Sequence, residues 1–251
     1  MSLFGNLKSD GLEETQDRLG GFSPFDTDIY TGKIKMAYAG QSDGGAKNVS
    51  LVVDFNGKEY RETIYITNKK GENFFLNKDD KTKKVPLPGF TIIDDICLVT
   101  TEKPLSDQAA EEKVIKLYDF EAKKELPKTV PVLVDLLGKE VSLAIVRQLE
   151  NKNAKNGAGE YEPTAETQET NNIAKVFHTP TKMTMVEARN GNETGTFWDS
   201  WVERNKGITA DRRKIKDGVA GAPKGTAAPA QRSGPPQAAA PAARQSLFGK
   251  K

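Results

Sequence analysis

Apolar and polar positions alternate most regularly in "NVSLVVDFNGKEYRETIYIT", residues 48–67. Two runs rich in β-branched and aromatic residues flank Asn56-Gly57, the pair that a type I′ turn prefers, so the stretch predicts a β-hairpin. On its return strand Tyr60, Ile64 and Ile66 are expected to share one face, and Arg61, Thr63 and Tyr65 the other. Upstream, in "DIYTGKIKMAYAG", Ile34, Met36 and Tyr38 alternate with Lys33, Lys35 and Ala37, which predicts a strand with one basic face. Downstream, Pro86, Pro88 and Gly89 introduce "FTIIDDICLVT", read as a short helix. "EKVIKLYDF" and "KTVPVLVDLLGKEVSLAIVRQLE" read as further strands with a turn at Gly138-Lys139, and "NIAKVFH" as one more. Residues 151–171 are polar without apolar periodicity and are expected to form a mobile loop. "TFWDSWVERNKG" predicts a helix from Thr196 to Gly207, its Trp198 and Trp201 pinning it to the body rather than stacking on bases. Near the start, Asp10 and Glu13 form a capping-box pattern before a helix that Gly20-Gly21 would end.

Several short strands, one Asn-Gly hairpin and a helix after the third strand indicate a mainly β (α+β) protein. The order fits an antiparallel barrel like the oligonucleotide-binding (OB) fold, with short helices. From about Gly207 the composition turns to Ala, Pro and Gly with no apolar period, which cannot offset the entropy of ordering a chain. The expected organisation is a body over 1–206 and a disordered tail over 207–251. The overall charge of +2 averages two unlike parts: nine Lys/Arg against two Asp make the tail +7, which leaves −5 for the body. A single cysteine, Cys97, excludes an internal disulfide and points to a reducing compartment. The first residues lack the basic-then-apolar pattern of a signal peptide, and no apolar run could span a bilayer, so a soluble, cytoplasmic protein is expected.

Catalytic chemistry is poorly supplied. His178 is the only histidine, and it reads as a strand-end residue rather than a base. No His/Cys spacing supports zinc, and no Gly-rich phosphate loop or nucleophile elbow is present. Asp94-Asp95 could hold a metal ion but reads better as the solvated face of a helix, with Cys97 as a small buried hydrophobe. No enzyme activity, metal or cofactor is expected.

Binding of single-stranded nucleic acid needs cations along the phosphates and flat side chains for the bases. Lys33 and Lys35 on the first strand, Arg61 and Tyr65 on the third, and Lys69, Lys70, Phe74 and Phe75 in the following connection supply both. That connection carries six lysines between Lys69 and Lys84 against Glu72, Asp79 and Asp80. The wet face of a half-exposed sheet would show the same lysines, and Tyr65, Phe74 and Phe75 would serve equally well as core.

The tetrapeptide Ser-Leu-Phe-Gly occurs near both ends, at Ser2–Gly5 and within "QSLFGKK" at the C-terminus. A Leu-Phe pair at the tip of a flexible arm invites association. A partner pocket for Leu247 and Phe248, with Lys250 and Lys251 meeting acidic groups, accounts for the feature.

The start "MSLFGNLKSDGLEETQDRLGG", the hairpin "LVVDFNGKEYRETIYITNKKGENFF" and the end "SLFGKK" together resemble the single-stranded DNA-binding proteins of phage N-four-like podoviruses, the enquatrovirus group. The resemblance implies a protein that coats single strands in viral DNA replication and recombination. It also implies that the C-terminal end activates late transcription through the host RNA polymerase, with Lys250 and Lys251 as the contacting residues. Two other functions fit the same residues: a transcription co-activator or adaptor that never touches DNA, and a strand-annealing recombination protein.

Overall fold

The computed structural model describes residues 23–119, 122–157 and 159–215. The expected N-terminal helix, both Ser-Leu-Phe-Gly copies, most of the tail and the tip residues Leu247, Phe248, Lys250 and Lys251 lie outside the described residues. The described residues form a mainly antiparallel eight-stranded sheet with a separate two-stranded ribbon and three short α-helices.

Strand β1 (Asp28–Gln41) pairs along its second half with β2 (Lys47–Phe55), which continues through the Asn56-Gly57 turn into β3 (Lys58–Tyr65). Asn56 and Gly57 both have positive φ, 53° and 91°, as a type I′ turn requires, and the Gly57 N–H donates to Asp54 Oδ1 at 2.8 Å. The chain then makes the small ribbon of β4 (Phe74–Leu76) and β5 (Lys84–Pro86) before entering α1 (Pro88–Thr101). Proline at the first turn suits a helix start, since its missing N–H would find no partner there. Gly89 is required by packing: a Cβ at this position would lie 2.2 Å from the Tyr65 carbonyl oxygen, so the start of α1 is pressed onto the end of β3.

After α1, β6 (Ala110–Asp119) and β7 (Lys124–Leu133) form a hairpin joined to the body by the single pairing of Val132 with Tyr38. Strand β8 (Glu140–Lys155) follows the Gly138 turn and pairs with the first half of β1. It returns as β9 (Tyr161–Phe177), paired from Ser142–Phe177 out to Lys155–Tyr161 with register shifts after Ala144 and after Asn151. The polar stretch 151–171, expected as a mobile loop, therefore lies largely within two paired strands. Backbone hydrogen bonds hold this ribbon where no apolar face announces it. The helices α2 (Met185–Arg189) and α3 (Phe197–Asn205) follow, and β10 (Ala210–Asp211) adds to β8 in parallel. Fixed contacts thus continue past the composition change at Gly207: Arg212 N–H donates to Leu149 O, and Asn151 bonds the backbone of Lys214 and Ile215.

The neighbours run β9-β8-β1-β2-β3, and backbone pairing does not close β3 onto β9. The Glu62 carboxylate spans that gap instead. It accepts from Tyr60 O–H at 2.6 Å, from Ile173 N–H of β9 at 3.3 Å and from Asn172 Nδ2 at 3.4 Å. Between the sheet and α1 lies the main core, including Ile34, Leu51, Val53, Ile93, Ile96, Leu143 and Ile173. Cys97 belongs to it, fully buried, and burial pushes its thiol up to about 12. Trp201 is buried with Ala144 and Phe177, and Trp198 packs edge-on to Phe177 at 5.0 Å, so both indoles pin α3 to the sheet. Among the described residues no helix is long and apolar enough to cross a membrane.

Two local expectations are corrected. A register shift between Ile34 and Met36 moves Ala37, not Met36 or Tyr38, to the buried side with Ile34. A bulge inserts one residue and inverts the alternation beyond it. Asp95 is not on a wet helix face: it is 5% exposed in the packed side of α1, and burial raises its carboxyl to about 6, with Lys175 and Arg189 opposing the rise.

Candidate nucleic-acid interface

The outer face of β1–β2–β3 is organised by cross-strand register. Met36, Val52 and Arg61 stand in one row, Tyr38, Ser50 and Thr63 in the next, and Gly40, Asn48 and Tyr65 in the last. Alternation on β3 places its residues as expected: Tyr60 and Ile64 are buried, while Arg61, Thr63 and Tyr65 are exposed.

The cations of this face divide into two groups. Lys35 sits between two carboxylates, 3.0 Å from Glu59 Oε1 and 3.4 Å from Asp54 Oδ2. Arg61 donates to the other oxygen of Glu59 at 2.6 Å. Hydrogen bonds from Arg61 and then Lys35 hold Glu59 below the usual carboxylate range, and the same contact with Glu59 raises Lys35. The middle of the sheet face is therefore internally neutralised. Lys33 is exposed on the same strand, opposite Asp54.

At the end of the face the picture reverses. The connection between β3 and α1 carries Lys69, Lys70, Lys78, Lys81, Lys83 and Lys84, all exposed. Of these, only Lys83 makes an ion pair among the described residues, with Asp80 at 3.4 Å. Two acids of the loop are engaged in shaping it. Asp80 accepts from the backbone and hydroxyl of Thr82, contacts that hold it below the usual carboxylate range, and Glu72 accepts from Asn68 Nδ2. The Asn68 side chain accepts from the backbone of Lys70 and Glu72, which makes a tight, rigid turn of the Lys69-Lys70 segment.

Rings accompany these lysines. Tyr65 is 52% exposed and Phe75 46%, whereas Phe74 is half-buried beneath Lys84, whose Nζ lies 4.3 Å from the ring centroid. A core role is thus excluded for Tyr65 and Phe75. The β3–β4 loop lies along the β1–β2 turn: Ile66 N–H donates to Lys47 O, and the Lys69 stem runs 3.4 Å from where a Gly44 Cβ would be. That contact brings Lys47 to the cluster, and it too makes no ion pair among the described residues. Lys47 was invisible as a site residue because its turn meets the loop only in the fold.

Sequence reasoning also passed over Tyr161, 68% exposed near the end of the β8–β9 ribbon with Lys155 Nζ 5.5 Å from its ring. His178 donates or accepts at Thr181 Oγ1 over 2.8 Å in a turn after β9, and burial lowers its pKa. Among the described residues no cluster of three His, Cys, Asp or Glu could hold a metal ion. Compared with known proteins, the chain matches no family model, and no curated protein sequence matches it.

Proposed function

We propose that the protein binds single-stranded DNA without sequence preference and serves viral replication and recombination, while its C-terminal tip recruits a partner such as the host RNA polymerase. The observation that carries the DNA-binding part is the concentration of lysines without ion pairs among the described residues (Lys47, Lys69, Lys70) at the Tyr65 end of the β1–β2–β3 face, continued by Lys84 and the open ring of Phe75 on the two faces of the adjoining ribbon. Cations follow phosphates and rings stack on any base, so this pairing of groups grips an unpaired strand and reads no sequence. The strand order supports an OB-like body. In that fold a long first strand is shared by both halves, a helix follows the third strand, and the barrel stays partly open. Here β1 is shared by β2 and β8, α1 follows β3, and Glu62 bridges the remaining gap. The tip function rests on the Leu247-Phe248 pair and on Lys250 and Lys251.

Titration with oligo-dT, followed by anisotropy at several salt concentrations, tests the reading. Binding that weakens with salt and strongly prefers single strand to duplex is expected. Equal affinity for duplex would defeat it. Polymerase recruitment without any oligo-dT binding would establish the adaptor function instead.

A further inference from the structure

The β6–β7 hairpin presents two edges that differ in one respect. In β7, Pro127 lies opposite Lys116 and Pro131 opposite Glu112. Proline has no N–H to give, so these are the pairs of the ladder that exchange no backbone hydrogen bonds. The prolines therefore point their missing donors outward and blunt the free edge of β7. By the same alternation, the backbone N–H and C=O groups of Glu112, Val114 and Lys116 point away from β7, toward the outer edge of β6. Among the described residues no strand pairs with that edge.

The β6 edge has no proline and no bulge over its ten residues. Val114 is 69% exposed, the most of any large apolar residue described. Glu112 and Lys116 are exposed on the same face as Val114, and since each faces a proline across the hairpin, neither finds an ion pair among the described residues. A two-stranded hairpin is also marginal in water, and Ile115, Leu117, Leu126 and Val130 on its other face are only half-buried.

We infer that β6 pairs antiparallel with β6 of a second copy of this chain, across a two-fold axis at Val114. The register follows from the chemistry. Backbone bonding requires even-numbered residues to meet even-numbered ones. An axis at Lys113 would set two lysines against each other, and one at Ile115 would set Lys116 against Val114. Only the Val114 axis places Glu112 opposite the partner's Lys116, twice by symmetry. It also brings the two Ile115 side chains into diagonal contact on the opposite face, within a four-stranded ribbon.

Sedimentation velocity of the full chain without DNA, over a range of protein concentrations, gives the oligomeric state. A monomer–dimer equilibrium is expected. Glu112→Lys and Lys116→Glu should each weaken it about tenfold or more by setting like charges opposite one another, and the double swap should restore it. Val114→Cys should form a disulfide-linked dimer when oxidised with diamide, since residues facing each other in such a pair have Cα atoms about 5.5 Å apart. Lys113→Cys should not, because that position faces Ile115 and not itself. The native Cys97 is buried and leaves a low background. A chain that stays monomeric at every concentration overturns the inference, as does a dimer indifferent to both charge reversals.

Discussion

At the level of single side chains, charge counts in the sequence and charge available to a ligand are different quantities. Lys35 and Arg61 look like phosphate contacts, yet Asp54 and Glu59 occupy Lys35 across the strands and Glu59 occupies Arg61 along its own strand. Their removal should weaken oligo-dT binding less than removal of Lys69 or Lys70. Tyr65→Ala and Phe75→Ala should each cost about 1–3 kcal/mol of oligo-dT affinity, the worth of one stacked base. Fluorescence anisotropy on folded variants checks this, and unchanged affinity in both would place the strand elsewhere. Asp95 gives a prediction of another type. Its carboxyl is raised to about 6 by burial, above the ordinary value of about 4. The unfolded chain therefore loses its proton first. The stability that Asp95 contributes is present at low pH and is lost as pH rises from about 4 through 6. Asp95→Asn removes that loss, so its melting temperature should gain on the wild type across this window and keep a constant lead above it. A pH-independent difference would mean that Lys175, Arg189 and Asp94 set a different balance.

Among elements, legibility followed the apolar pattern and failed where backbone bonding acts without it. The hairpin at Asn56-Gly57, α1 and α3 were readable because apolar positions at the right period coincide with a turn pair, a proline in the first turn or a closing glycine. The outer β8–β9 ribbon was not, since Asn153, Lys155 and Glu162 are polar on both faces and lie in the ladder without an apolar stripe. The bulge after Ile34 was equally hidden: one extra residue leaves the composition of a strand unchanged while inverting its faces. Of the site, the lysine-rich connection was readable, but the contact that adds Lys47 and the pairing that neutralises Lys35 arise between segments distant in sequence. Glu187 shows how much one side chain can hold between elements. It completes the capping box of α2 with Thr184 and accepts from the backbone N–H groups of Thr196 and Phe197 at the start of α3. Glu187→Ala would leave these donors unmatched at a cost of about 1–3 kcal/mol. Because both tryptophans lie in α3, a red-shifted emission and a lowered melting temperature should report the loosened helix together.

For the whole molecule, the residues before the tail carry −5 while the strongest local cluster is cationic, so the proposed DNA path is narrow and its electrostatics can be counted. Release of counterions gives a slope of log affinity against log salt of about −0.7 for each phosphate neutralised on a single strand. Lys47, Lys69, Lys70 and Lys84 would together give a slope of about −3. Lys69→Ala with Lys70→Ala should reduce its magnitude by about 1.4, while Arg61→Ala should change it little because Glu59 already neutralises that charge. Deleting residues 245–251 should leave the slope and the oligo-dT affinity intact while abolishing polymerase recruitment, because the tip adds only Lys250 and Lys251 and is proposed to serve a protein surface. If that deletion instead flattens the salt response, the tail and not the β3–α1 connection carries the strand, and the aromatic rings beside Lys69 would have another ligand.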